Sequence, residues 1–390
     1  MTINKDLKGT ELIISLEGRL DTITAPELEK ELNASLNGVQ ALTFDFDKLE
    51  YISSAGLRVI LRLKKAHQDF KIVNVTSEVY EIFDMTGFTE MMDISKAYRK
   101  ISIDGCEVIG EGANGVVYRI DPDTIVKVYK NRDALEEIHN ERELARKAFV
   151  MGVPTAIPYD VVQVGDLYGS VFELLNAKSF AKLMIADPTL TDSLAKDSVD
   201  ILKTIHGTIL KPGELPDKKA EALVWAEFCR DHLPADVGDK LVQMVKDIPD
   251  TLNMLHGDYH IKNIMRQNGE NLLIDMDTLS MGHPIFEFAA IYLAYIGFSC
   301  IDRNNIKDFL GIPYEQGLAF WHATLKYYFG TDDDNKLREI ENKSAIIGFA
   351  RILRRTFRKA KESEEYKARL IEHCKAVLCE LVPQTDSLSF

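Results

Sequence analysis

His256-Gly257-Asp258-Tyr259-His260-Ile261-Lys262-Asn263, followed a few residues later by Leu272-Leu273-Ile274-Asp275-Met276-Asp277, decides how this chain is read. Asp258 and Asn263 stand five residues apart, on what must be a tight loop. Asn268-Gly269 between short apolar runs predicts a two-residue hairpin, because both residues tolerate the positive φ of a type I′ turn. Such a hairpin brings Asp275 back beside Asp258 and Asn263. One carboxylate to accept or orient a hydroxyl proton, with an amide and a second carboxylate as oxygen ligands for Mg²⁺, is the set that phosphoryl transfer from ATP needs. On this reading Asp258 is the catalytic residue, and Asn263 and Asp275 are the metal ligands.

Upstream, Gly110-Glu-Gly112-Ala-Asn-Gly115 lies between two strand-like runs, the second being Val116-Val-Tyr-Arg-Ile120. A glycine loop joining a strand to a helix would suggest a dinucleotide fold. Joining strand to strand, it lets the backbone fold over nucleotide phosphates with no side chain in the way. Gly110, Gly112 and Gly115 are therefore candidate ATP contacts, and Val117 is placed to cover the adenine. Lys127 is the lone cation of the next strand, Thr124-Ile-Val-Lys-Val-Tyr129. A lysine on a half-buried strand is usually just surface-facing, but its place directly after the glycine hairpin marks it for the α/β-phosphates. Its carboxylate partner should come from the helix predicted over 133–150. Glu141, three residues before Leu144, fits better than Glu143. Phe172-Glu173-Leu174-Leu175 ends the last strand of this region, so backbone groups near Glu173 and Leu175 would hold the adenine. His256 and His260 are expected to support the loop, since neither has a second ligand pair at zinc spacing.

At 390 residues the chain exceeds one ordinary core, and two or three domains are expected. A formal charge of −14 argues against general affinity for nucleic acid or an anionic membrane. No apolar run is long enough to span a bilayer, and Met1–Lys8 lacks a signal-peptide core. The five cysteines are scattered and odd in number, which suits reduced thiols and a cytoplasmic location.

The first hundred residues alternate strands with helices. Leu12–Leu20, Ala41–Phe46 and Phe70–Val75 read as strands. Thr24–Leu32, Ser54–Lys65 and Val79–Met85 read as helices, the first with Thr24 as N-cap and Pro26 in its first turn. Leu16-Glu-Gly-Arg-Leu-Asp21, Tyr51-Ile-Ser-Ser-Ala-Gly-Leu-Arg-Val-Ile-Leu61 and Met85-Thr-Gly-Phe88 resemble the STAS domain of anti-sigma-factor antagonists. The resemblance covers residues 1–97 and implies a regulatory domain that binds a partner protein. In that family a serine or threonine of the Ser-Ser-Ala-Gly-Leu turn is phosphorylated, and alignment on Gly56-Leu57 makes Ser54 the equivalent. Ser53 stands where phosphorylatable members often carry Asp. The bland alternative is that Ser53 or Ser54 only caps the following helix.

From residue 104 to 390 the layout is a small sheet with one helix (104–174), then a helical lobe (175–390). His256-Gly-Asp-Tyr-His260-Ile-Lys-Asn263, Ile274-Asp275-Met-Asp277, Gly282-His-Pro284 and the earlier Ile205-His206 resemble the aminoglycoside phosphotransferase and choline kinase-like group. The chain is thus read as an α/β STAS-like domain followed by an α+β two-lobed protein-kinase-like domain of aminoglycoside phosphotransferase type. The resemblance implies a small hydroxylated acceptor for the γ-phosphoryl group. It departs at Glu287-Phe288-Ala289, where the group usually has Asp-Leu-Ala, and in keeping all three glycines of the small-lobe loop. A protein acceptor is disfavoured. His260 stands where kinases acting on Ser/Thr place lysine, Asp-Met-Asp replaces Asp-Phe-Gly, and about nine residues separate Asp275 from Pro284. The rival reading is a signalling protein that phosphorylates Ser54 or a partner, or that senses nucleotide.

Trp225-Ala-Glu227, Asp277 and Glu287 stand as aromatic and acidic contacts for the acceptor, an arrangement that suits a cation. Along Arg351–Lys361, helical spacing turns Ile352, Leu353 and Phe357 to the core and leaves the cations on a solvated face.

Overall fold

The computed structural model describes every residue except 34, 113, 176 and 359–362. Its contacts divide the chain into two compact units, residues 1–102 with 161–166, and residues 103–160 with 167–390.

In the first unit β1 (Thr2–Lys8) and β2 (Glu11–Leu20) form an antiparallel pair, and α1 (Thr24–Asn33) crosses over to β3 (Ala41–Ile52). The helices α2 (Ser54–Ala66) and α3 (Ser77–Met85) flank β4 (Asp69–Val75). A short α4 (Phe88–Met91) leads to β5 (Asp93–Lys96) and β6 (Arg99–Lys100). The sheet runs β1-β2-β3-β4-β5, with every pairing after the first parallel. Parallel neighbours need crossovers, and the amphipathic helices supply them. Leu12, Ile14 and Leu16 of β2, Phe44 and Phe46 of β3, and Ile72 of β4 meet Leu28, Ile60, Val79 and Phe83 in one core. Thr24 opens α1 but does not cap it. Its hydroxyl donates to Arg19 O at 2.8 Å, and the Asp21 carboxylate accepts the Ile23 and Thr24 amides. The Thr24 hydroxyl accepts the Asp21 N–H at 2.9 Å, so the two residues bond each other's backbone across the turn that enters the helix.

The second unit opens with β7 (Glu107–Glu111), β8 (Gly115–Asp121) and β9 (Thr124–Tyr129), then α5 (Leu135–Val150). Of the next two strands, β10 (Asp160–Val164) and β11 (Leu167–Glu173), the first belongs with the N-terminal unit, where Val162 and Gln163 pair in parallel with Arg99 and Lys100. The remaining strands of this lobe run antiparallel in the order β11-β9-β8-β7.

The helical lobe begins with β12 (Lys178–Ser179), α6 (Phe180–Ala186), α7 (Thr191–Gly207), α8 (Lys218–Arg230) and α9 (Ala235–Lys246). A small β region follows: β13 (Met254–Leu255), β14 (Ile264–Gln267), β15 (Glu270–Leu273) and β16 (Ser280–Met281). Asn268 and Gly269 join β14 to β15 with φ of 51° and 86°, as a type I′ turn requires. Next come α10 (Ile285–Tyr295), α11 (Asn305–Leu310), α12 (Tyr314–Phe329), α13 (Asp334–Arg358) and α14 (Glu364–Gln384). α10 is buried along nearly its whole length, its Phe288 and Tyr292 meeting Trp321 of α12 and Phe349 of α13. No helix of the described residues is long and apolar enough to cross a membrane.

Candidate active site

Antiparallel pairing sets residues of neighbouring strands directly opposite one another. Gly110 faces Val117, Val117 faces Lys127, and Lys127 faces Ser170, a single row across the small-lobe sheet. The three glycines of the loop differ in why they are glycine. A Cβ on Gly115 would lie 2.6 Å from Val128 O, so strand packing demands glycine there. Around Gly110 and Gly112 the nearest atoms are 3.9 and 4.0 Å away, so packing makes no such demand. Their bare backbone is left available to a close ligand. Ala113, between them and Gly115, lies outside the described residues.

Lys127 Nζ donates to both oxygens of Glu141, at 3.0 and 3.1 Å, and to Asp275 Oδ1 at 3.4 Å. The Tyr129 hydroxyl donates to the same glutamate. Glu143 is exposed and pairs with Arg146, so of the two candidates it is Glu141 that meets Lys127. Burial works against the lysine's charge, but Glu141, Tyr129 and Asp275 outweigh it and raise its pKa above the usual value. Glu173 ends β11 exposed and Leu175 is half-buried. Leu174 N–H between them donates to Asp123 O at 2.7 Å.

The loop from His256 to Asn263 is held from several sides. Gly257 has φ 85°, and a Cβ there would meet Thr278 O at 2.4 Å, so only glycine passes. Its N–H donates to Glu287 Oε1 at 3.0 Å, and the His256 N–H donates to Glu287 Oε2. Thr278 Oγ1 donates to His256 O at 2.8 Å. His206 Nε2 lies 3.9 Å from Glu287, while its Nδ1 meets the Tyr328 hydroxyl at 2.8 Å. His256 is fully buried, which pushes its pKa down, and its Nδ1 accepts the Asp258 N–H at 3.3 Å. His260 Nε2 lies 3.4 Å from Asp258 Oδ2. Although partial burial opposes it, this contact holds the Asp258 carboxyl below its usual pKa, with smaller help from His256 and Arg351.

Asn263 Nδ2 donates to Asp258 O at 3.0 Å, which leaves its Oδ1 as a ligand atom. Ile274 N–H donates to Asn263 O at 3.0 Å, and this bond sets Asp275 beside Asn263. Asp275 adopts φ 66°, an uncommon left-handed conformation for a residue with a side chain, of the kind retained where the surroundings impose it. Asp277 has its pKa pushed up to about 6, first by burial and then by the charges of Asp275, Glu141 and Asp258. Hard oxygen donors in a surplus of negative charge fit a divalent cation such as Mg²⁺. Among the described residues no three His, Cys, Asp or Glu side chains gather as a ligand set. A cation here would take most of its ligands from phosphates and water, as Mg²⁺ commonly does.

Several sequence expectations need correction. Glu287 is 1% exposed and committed to the loop amides, so it is not offered to an acceptor. Its role was missed because its partners lie 30 and 31 residues away. Glu227 is exposed on α8, whereas Trp225 is buried on that helix. Phe357 is 45% exposed, against Phe228 and His232. Arg351 does not stand on a solvated face but lies over the Trp225 ring, 5.6 Å from its centre. Lys359–Lys361 lie outside the described residues.

In the first unit Ser53 is the N-cap of α2. Its hydroxyl accepts the Ala55 and Gly56 amides at 3.3 and 3.4 Å. Ser54 is exposed at the first helical position.

Comparison with known proteins agrees with this division. Residues 105–321 match the Phosphotransferase enzyme family, and residues 2–101 match the STAS domain. A protein of Bordetella bronchiseptica assigned as an anti-sigma factor antagonist is 30% identical over 102 residues, covering 25% of this chain and 88% of its own. The anti-sigma-B factor antagonist of Bacillus subtilis is 29% identical over 101 residues, covering 24% and 93%. Among solved structures, aminoglycoside phosphotransferase APH(4)-Ia in complex with ADP and hygromycin B has a TM-score of 0.49 at 12% identity, over 71% of this chain and 93% of its own. ADP-bound APH(2'')-Ib has a TM-score of 0.47 at 16% identity, over 77% and 98%. The chain belongs to the phosphotransferase enzyme family and carries a STAS domain in its first hundred residues.

Proposed function

We propose that this protein transfers the γ-phosphoryl group of ATP to a hydroxyl of a small molecule, with the STAS domain as its regulatory, protein-binding part. The observation that carries the reading is the contact of Lys127 with both Glu141 and Asp275, which joins the phosphate-binding strand to the metal-binding turn. Lys127 would hold the α/β-phosphates under the backbone of Gly110, Gly112 and Gly115, with Val117 over the adenine and the backbone near Glu173 and Leu175 along its edge. Asn263 and Asp275 would hold Mg²⁺, which when bound neutralises charge on the transferring phosphates. Asp258, kept ionised by His260, would accept or orient the acceptor's hydroxyl proton. His256, His260 and Glu287 fix the loop so that this carboxylate is preorganised.

The short path after Asp275 supports a small acceptor. β16 pairs with β13 within a few residues, and α10 starts at Ile285, which leaves no extended segment to receive a peptide. One observation favours the rival signalling reading, the exposed Ser54 beside a capped helix start.

Incubation with γ-labelled ATP separates the two. Label appearing on added small hydroxylated compounds, and lost in Asp258→Asn, supports the small-molecule reading. Label on the protein that vanishes in Ser54→Ala supports the signalling one. ATP turnover unchanged in Asp258→Ala would overturn the catalytic assignment in both.

A further inference from the structure

In the small lobe, β9 carries Lys127 and Tyr129 at alternate positions, so strand periodicity turns both side chains to one face. Glu141 of α5 meets that face. Lys127 Nζ donates to Glu141 Oε1 at 3.0 Å and to Oε2 at 3.1 Å, and lies 5.1 Å from the centre of the Tyr129 ring. The buried Tyr129 hydroxyl donates to the same Oε2. Burial, and then the Glu141 charge, push the phenol pKa above its usual value, so the hydroxyl keeps its proton for the carboxylate. Across the strand pair Tyr129 faces Gly115, the last glycine of the loop.

A lysine and a glutamate are enough for an ion pair, so the phenol calls for a reason of its own. An ammonium has three N–H donors. Lys127 directs them to three carboxylate oxygens, the third being Asp275 Oδ1 at 3.4 Å. Contact with both the α- and the β-phosphate takes two of those donors. The long contact to Asp275 releases one. The second has to come from Glu141, which is buried, so water does not take over the oxygen that Lys127 leaves. A buried carboxylate oxygen left unpaired is costly. Tyr129 prevents that, because Oε2 already holds the phenol's hydrogen bond. Lys127 can then stay on Oε1 and turn its other donors to the phosphates.

We infer that Tyr129 is a positioning residue for the nucleotide, which keeps Glu141 Oε2 paired and so frees one N–H of Lys127 for the phosphates. This rests on the transfer reading above, in which Lys127 is the phosphate cation, and adds a residue to that site. The phenol itself touches no phosphate and makes or breaks no bond. A merely structural tyrosine would stabilise the lobe and leave the grip on phosphates alone.

Displacement of a fluorescent ADP analogue from the full-length protein, by MgADP and separately by adenosine, tells the two roles apart. ADP carries the two phosphates that Lys127 would hold, and adenosine carries none. Tyr129→Phe keeps the ring and removes the hydroxyl. Its Kd for MgADP should rise about tenfold, as expected for one hydrogen bond to a charged group, while its Kd for adenosine holds. Glu141→Gln should also weaken MgADP. Adding Tyr129→Phe to it should weaken binding by less than about twofold more, because the phenol acts through the carboxylate. If thermal melting shows Tyr129→Phe unfolded, this pair gives the reading, since a neutral amide left unpaired costs less than a carboxylate.

The inference is overturned if Tyr129→Phe leaves MgADP affinity unaltered, whatever it does to the melting temperature. It is overturned equally if MgADP and adenosine weaken together, or if Tyr129→Phe deepens the loss in Glu141→Gln. Lys127→Met, paired with Glu141→Gln so that no buried carboxylate is stranded, separates this failure from failure of the transfer reading. MgADP affinity lost in that pair and unaltered in Tyr129→Phe sinks the role of the phenol alone. MgADP affinity unaltered in the pair removes the phosphate cation, and the transfer reading falls with it.

Discussion

The Glu287 carboxylate accepts the Gly257 amide at 3.0 Å, so a buried charge on α10 holds the first turn of the loop that carries Asp258. Burial alone would raise this carboxyl's pKa, but His206 nearby and the His256 amide bring it below the usual value. A depressed folded pKa means stability that is present above the unfolded value, near 4.5, and lost as pH falls through the folded one. Chemical denaturation between pH 7 and pH 3 should show that loss, and Glu287→Gln should flatten it. At pH 7 the variant should lose ~1.5–3 kcal/mol, the usual worth of hydrogen bonds to a charged group. Its ATP turnover should fall with little change in the KM for ATP, because the loop and not the nucleotide site is disturbed.

Lys127 and Glu141 test a different coupling. Lys127→Met leaves Glu141, with 6% of its side chain exposed, facing only the Tyr129 hydroxyl. Breaking one side of such a pair is costly, whereas replacing both is often close to neutral. The single variant should be destabilised by roughly 3 kcal/mol or more, and Lys127→Met with Glu141→Gln should recover most of it. Neither should turn over ATP, each falling ~10²–10³-fold or further for want of the phosphate cation. Recovery of stability with recovery of turnover would remove Lys127 from the site.

The glycines separate fold from function in the same lobe. Gly115→Ala brings a Cβ to 2.6 Å from Val128 O and should cost about 1–3 kcal/mol through strand displacement. Gly112→Ala meets nothing closer than 4.0 Å, so the melting temperature should hold. If the loop covers phosphates, that same alanine should raise the KM for ATP several-fold. An unchanged KM would take Gly112 out of the nucleotide site.

What could be read in the sequence was whatever local spacing encodes. The Asn268-Gly269 turn, the helix after Ser53 and the strand carrying Lys127 all follow from neighbours within a few residues. Glu141 followed from helical spacing once Lys127 was placed. Glu287 and Arg351 were misread for one reason. Each has a charge that sequence alone assigns to solvent or ligand, and helix packing that no local pattern reports buries Glu287 fully and Arg351 in part. Gly348 carried the signal for Arg351, since a glycine inside a long helix usually marks a close approach. Thr24 failed on a finer point, because its hydroxyl is taken up by the turn that Asp21 forms before the helix.

The paired serines of the STAS domain give a prediction in which neighbours behave oppositely. Ser53 accepts two amides at the start of α2, at 3.3 and 3.4 Å, distances long enough to place its contribution at the low end for a cap. Ser53→Ala should therefore cost about 0.5–1 kcal/mol, measured by urea unfolding. Ser54 is exposed and caps nothing, so Ser54→Ala should change stability by less than about 0.5 kcal/mol. A phosphate on Ser54 would sit at the positive end of α2, where negative charge is favoured. Ser54→Asp should then raise the melting temperature of the domain slightly, and the rise should shrink in high salt. A fall in melting temperature for Ser54→Asp would show that the turn resists negative charge, and it would count against Ser54 as a phosphorylation site.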